Sequence, residues 1–239
     1  MITKTKLSPN YSKKIRKNKD IKVIVLHYTG MQSKIESIKR LTNPKSKVSC
    51  HYVIDRKGII IKLVDENKIA WHAGKSKWKN FNNLNKNSIG IELINKGHKF
   101  GYQKYSKTQI TKLIELCKKL KKKYKISNAN FVGHSDIAPM RKEDPGEKFP
   151  WEQLSKKKIG FWYKSSKLRS NLLKENKRKL FFKNLFLIGY RYFSLNKVSK
   201  KDVLITKAFK RRFLQKHVNG TIDQKTLQIS HYLAHKYKN

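Results

Sequence analysis

Two histidines and one aspartate carry the clearest chemical suggestion in this chain. His27 closes a short apolar run, His134 closes another, and Asp144 follows ten residues later in a segment rich in proline. Two imidazoles and a carboxylate around a divalent ion leave one tetrahedral position open for water, the arrangement of a catalytic zinc. Taken singly, each has an ordinary alternative: a histidine at a strand end as a rule only holds structure, and an aspartate before proline starts a turn. Glu92 lies inside Ser-Ile-Gly-Ile-Glu-Leu-Ile (88–94). A carboxylate buried among isoleucines is costly without a partner. Strand alternation puts Gly90, Glu92 and Ile94 on one face, so Glu92 can turn to a cleft and move protons there.

The elements that must position these residues follow from hydrophobic period. Residues 21–28 form a β-branched run that reads as a central strand ending at His27. Ile35, Ile38 and Leu41 recur at helical spacing and stop before Pro44. Residues 51–55 and 59–64 flank Arg56-Lys57-Gly58, a hairpin signal. Ser106 to Gln109 is a capping box opening a helix with Ile110, Leu113, Ile114, Cys117 and Leu120 on one face. Residues 130–133 are a short strand delivering His134. The long loop from Ser135 to Pro150 is of a length that is more often functional than idle. Past residue 160 the strand pattern ends, and 181–188, 205–213 and 226–233 read as three short helices.

Composition narrows the rest. The net charge is +43, yet only nine of the 58 basic residues are arginine, and the lysines are spread along the whole chain. Bidentate phosphate and base-edge contacts favour arginine gathered on one element. The lysine excess therefore reads as solvated surface, and no specific nucleic-acid partner is expected. No apolar run reaches the length of a membrane span. Cys50 and Cys117 make no disulfide framework, and Cys117 reads as a small core residue.

Several segments, in order, resemble the type-2 family of N-acetylmuramoyl-L-alanine amidases, in particular the anhydro-muropeptide branch related to T7 lysozyme-like amidases and peptidoglycan recognition proteins. They are Val25-Leu26-His27-Tyr28-Thr29, Ser49 to Asp55, Ala70-Trp71-His72-Ala73-Gly74, Ser88 to Glu92, Val132 to Pro139, Arg141 to Gly146 and Phe149-Pro150-Trp151. The resemblance implies one zinc ion on His27, His134 and Asp144. It places Glu92 where the family carries its catalytic acid, and Lys142 where a basic residue faces the substrate carbonyl. His51, Trp71, His72 and Ala73 are assigned to substrate contacts, with His72 alternatively a support behind the metal ligands or a rival ligand, and His51 alternatively a residue that orients a ligand or a core residue. The reaction implied is hydrolysis of the amide between N-acetylmuramic acid, or its 1,6-anhydro form, and L-alanine.

The expected architecture is α/β: a mixed central sheet flanked by helices over residues 1–160, a linker over 161–178, and a small all-α domain over 179–239. The last segment is similar to a degenerate peptidoglycan-binding module. Peptidoglycan fragments are the expected partner and a monomer the expected state. With no secretory segment at the start, a cytoplasmic location is expected, or an exported one if the chain begins elsewhere.

Overall fold

The computed structural model describes residues 4–168 and 176–237. Its strands are β1 (Lys4–Thr5), β2 (Tyr11–Ser12), β3 (Val23–Tyr28), β4 (Tyr52–Ile54), β5 (Ile60–Lys62), β6 (Ile69–Ala70), β7 (Lys77–Trp78), β8 (Phe81–Asn82), β9 (Ser88–Leu93) and β10 (Phe131–Gly133). Its helices are α1 (Lys34–Thr42), α2 (Lys107–Tyr124), α3 (His134–Ile137), α4 (Trp151–Lys156), α5 (Lys177–Ile188), α6 (Lys201–Phe213) and α7 (Gln224–Lys236).

Six strands form one mixed sheet in the order β1-β5-β4-β9-β3-β10. Only the β4–β5 hairpin is antiparallel; β3 runs parallel to both β9 and β10. The apolar run at 23–28 is continuous because both faces of β3 are covered. Ile24 and Leu26 face one cluster with Ile89, Ile91 and the buried face of α2. Val23 and Val25 face a second cluster with Val132, Phe181, Phe209 and Leu227. Alternate residues of one strand thus feed opposite layers.

The helix boundaries have local causes. Ser33 caps α1 by accepting the Glu36 N–H, and Ser106 caps α2 by accepting the Gln109 N–H. The capping box is only half realised. The Gln109 amide donates instead to the carbonyls of Ile54 and Ile94, tying α2 to the sheet. In α1, Ile38 and Leu41 are buried, but Ile35 stands 80 % exposed. The apolar face of that helix is narrower than its spacing suggested.

α5, α6 and α7 occupy the segment read as three helices. Their apolar residues belong to the same cluster as Val23, Val25 and Val132 of the sheet. The expected linker falls partly on residues 169–175, which lie outside the described residues. Among the described residues, no helix is long and apolar enough to cross a membrane.

Candidate active site

Parallel strands end together, and that brings the site into being. β9 and β10 flank β3 on either side, so their carboxyl ends share one edge of the sheet, where open α/β sheets place their ligands. His27 pairs with Glu92 in the β3–β9 register. His134 directly follows β10 as the first residue of α3. Gly133 lets the Asp144 segment close in: a Cβ there would lie 2.7 Å from Pro145 Cδ. Asp144 then reaches both imidazoles.

The three donor atoms form a nearly equilateral triangle. His27 Nδ1 lies 3.0 Å from His134 Nδ1 and 2.9 Å from Asp144 Oδ2, and the third side is 3.1 Å. A tetrahedral ion with ligand distances of about 2.0–2.1 Å sets its donors about 3.3 Å apart. All three residues are buried, and they are the group among the described residues that can hold a metal ion.

Hydrogen-bond wiring fixes the tautomers. The Ser88 hydroxyl, 2.5 Å from the Leu84 carbonyl, donates to it. Ser88 Oγ therefore accepts from His72 Nε2 at 3.2 Å. That leaves His72 Nδ1 to accept from His27 Nε2 at 3.1 Å. On the other side, His134 Nε2 donates to the Ala73 carbonyl at 3.1 Å. Both histidines thus turn a bare Nδ1 lone pair toward the Asp144 carboxylate. Burial, and then His134 nearby, lower the His27 pKa to about 4, which keeps its imidazole neutral. Three electron-rich atoms at this spacing repel unless a cation lies between them. The donor set of two imidazoles and a carboxylate suits zinc.

Glu92 faces the same floor, and one of its oxygens is buried without a hydrogen-bond partner. Burial, then the charge of Asp144, push its pKa up to about 8, while Lys142 opposes the shift. Above the triangle opens a cleft of about 700 Å³, lined by Trp71, His72, Glu92, Arg141 and Lys142 among others.

The family comparisons agree with this geometry. A family model described as N-acetylmuramoyl-L-alanine amidase matches residues 17–147. This chain belongs to the type-2 N-acetylmuramoyl-L-alanine amidase family. The amidase is 34 % identical over 233 residues to N-acetylmuramoyl-L-alanine amidase AmiD of Escherichia coli K12, covering 91 % of this chain and 83 % of that one. It is similar to the structure of AmiD from E. coli in complex with the substrate anhydro-N-acetylmuramic acid-L-Ala-D-γ-Glu-L-Lys. That match has a TM-score of 0.81 and 32 % identity, over 97 % of this chain and 95 % of the other. It is also similar to AmpDh3 from Pseudomonas aeruginosa in complex with anhydromuramic pentapeptide, with a TM-score of 0.85 and 31 % identity over 97 % and 98 % of the two chains.

In the amidase, the residues expected to touch substrate fall in three places. Trp71 and His72 line the cleft, and His72 braces His27 besides. Ala73 is buried and acts through its carbonyl, which accepts from His134 and Arg141. His51 is not brought to the cleft. It is fully buried, its Nδ1 accepts the Gly90 N–H at 3.0 Å, and it packs edge-on against His72. Several residues that shape the amidase site escaped the sequence reading. Ser88 sets the tautomer chain, Asp136 accepts the Gly133 N–H beside His134, and Arg16 donates to the carbonyls of Glu66, Asn85, Lys86 and Ser88 under the floor. Asp136 sits in the matched segment 132–139 and Ser88 opens the matched segment 88–92, and those were the available signals.

Proposed function

We propose that this amidase hydrolyses the amide joining the lactyl group of N-acetylmuramic acid, or its 1,6-anhydro form, to L-alanine in peptidoglycan fragments, using one zinc ion on His27, His134 and Asp144. The observation that carries the reading is the wired triangle: two imidazole Nδ1 atoms and a carboxylate oxygen about 3 Å from one another, beside a partnerless Glu92 oxygen at the floor of a cleft. The anhydromuramyl peptides in the two related complexes support this substrate class.

When bound, zinc supplies Lewis acidity toward the scissile carbonyl and makes water more acidic. Glu92 takes a proton from the attacking water and hands it to the departing L-alanine amine. Its raised pKa, near working pH, suits both transfers. Lys142, on the cleft wall, offsets negative charge growing on the carbonyl oxygen. Trp71 offers an aromatic wall to the sugar or the stem peptide. The test is incubation of purified protein with anhydro-muropeptides and with polymeric peptidoglycan, with and without a chelator, followed by mass analysis. Release of stem peptides with a free L-alanine amine, abolished by chelator and restored by Zn²⁺, is expected. Undiminished hydrolysis in chelator overturns the metal assignment.

A further inference from the structure

We propose that Arg211 and Arg212, consecutive residues in the last turn of α6, position the metal ligands Asp144 and His134, so that the C-terminal helices support the metal site itself. This rests on the metal reading above.

The segments that carry these two ligands have little structure of their own. His134 opens a helix of four residues. Asp144 lies in the stretch between α3 and α4, which has no regular secondary structure beyond turns. One helical turn does not sustain itself, because its nucleation cost is barely recovered. Both segments therefore depend on outside anchors: Tyr102 and Tyr105 donate to the Pro145 carbonyl, the Ala73 carbonyl accepts from His134, and α6 supplies the charged ones.

Arg212 is 1 % exposed. Its Nη1 lies 2.7 Å from Asp136 Oδ2, and its Nη2 donates to the Phe131 carbonyl at 3.0 Å. The same Asp136 carboxylate accepts the Gly133 N–H at 2.8 Å and the Tyr190 hydroxyl at 2.6 Å. Residues 131, 133 and 136 bracket His134, and all three are tied through this one guanidinium and its carboxylate partner. Arg211 does the corresponding work on the other segment. Its Nη2 is 2.9 Å from Glu143 Oε1, and its Nε is 3.9 Å from Glu147 Oε2. Those two glutamates flank Asp144. Two residues beyond the helix, Gln215 donates to the Phe149 carbonyl at 2.6 Å.

The Arg212–Asp136 pair is buried on both sides, and a buried ion pair adds little net stability over apolar packing of the same volume; the Glu143 partner of Arg211 is exposed, and a pair of that kind is worth about 0–1 kcal/mol, so neither arginine is well explained as a stabiliser alone. A cation-binding site, by contrast, needs its donors held in place against their mutual repulsion, and the groups behind the ligands do that.

The experiment uses the full chain. Zinc dissociation constants are measured by competition with a chromophoric chelator, ligand geometry by the visible absorption of the Co²⁺-loaded protein, and folding by melting temperature. Arg211→Gln and the paired variant Arg212→Met with Asp136→Asn are expected to weaken zinc binding about 10-fold or more and to alter the Co²⁺ spectrum. Arg211→Lys should recover part of the loss. Asp223→Asn, which removes the charged partner of Lys210 inside the helical unit, leaving Asn219, and touches neither ligand segment, should lower the melting temperature and leave zinc affinity as in the parent. Unchanged zinc affinity in the arginine variants overturns the proposal, and so does an equal loss in Asp223→Asn. A parent chain that binds no zinc overturns the metal reading instead.

Discussion

Glu92 combines an unsatisfied buried oxygen with a register position directly opposite His27. Replacing it by glutamine keeps the shape and removes the base. Glu92→Gln is expected to retain metal by elemental analysis while kcat falls about 10²–10⁴-fold, and an unchanged rate would remove Glu92 from the chemistry. Gly90 is legible only with the fold in hand. A Cβ there would lie 2.4 Å from His72 Cγ, so the ring rests on bare backbone. Gly90→Ala must push His72 away from His27 Nε2, and zinc affinity is expected to drop about 10-fold or more, read by chelator competition at unchanged secondary structure. The sequence made His27, His134, Asp144 and Glu92 visible because all four fall in segments that resemble the family's motifs, each having an ordinary alternative when taken singly. It left His72 between a substrate contact, a support behind the ligands and a rival ligand, since a hydrogen bond between two imidazoles 45 residues apart leaves no local pattern.

At the scale of elements, period and capping located β3, β9, α2 and the three C-terminal helices with their boundaries shifted by a few residues. The two-residue strands β1, β2 and β6 to β8 were invisible, because so short a pairing has no period to read. The contacts that lock elements together were equally silent. Glu66 accepts from Tyr52 of β4 and from Lys123 and Tyr124 of α2. Burial opposes its ionisation, but Lys123 and the two tyrosines prevail, and its pKa lies below the ordinary 4.5. A carboxyl lowered by folding adds stability that is fully present above its unfolded value and disappears as pH falls through the folded one. Glu66→Gln is therefore expected to cost about 1–3 kcal/mol at neutral pH. It should also flatten the loss of stability on acidification below roughly pH 5, as followed by urea unfolding. A parallel offset at every pH would contradict this account.

For the whole molecule, the charge of +43 describes a surface rather than a site. The arginines that do organise structure, Arg16, Arg211 and Arg212, are buried and bonded to backbone carbonyls or carboxylates. Composition could show that arginine was scarce, but not that these three were inside. Nor could it show that Val23, Val25 and Val132 share an apolar cluster with α5, α6 and α7. That shared cluster has a practical outcome. A chain stopped after residue 168 strips the α5, α6 and α7 residues from that cluster and leaves the rest of it, Trp78, Ile137 and Phe161 included, without them, an apolar expanse of the kind that drives aggregation. Such a fragment is expected in the insoluble fraction, whereas the intact protein should melt in a single calorimetric transition; a soluble, zinc-loaded fragment would refute this. An engineer wishing to exchange the helical end for a targeting module must first redesign the wall it leans on.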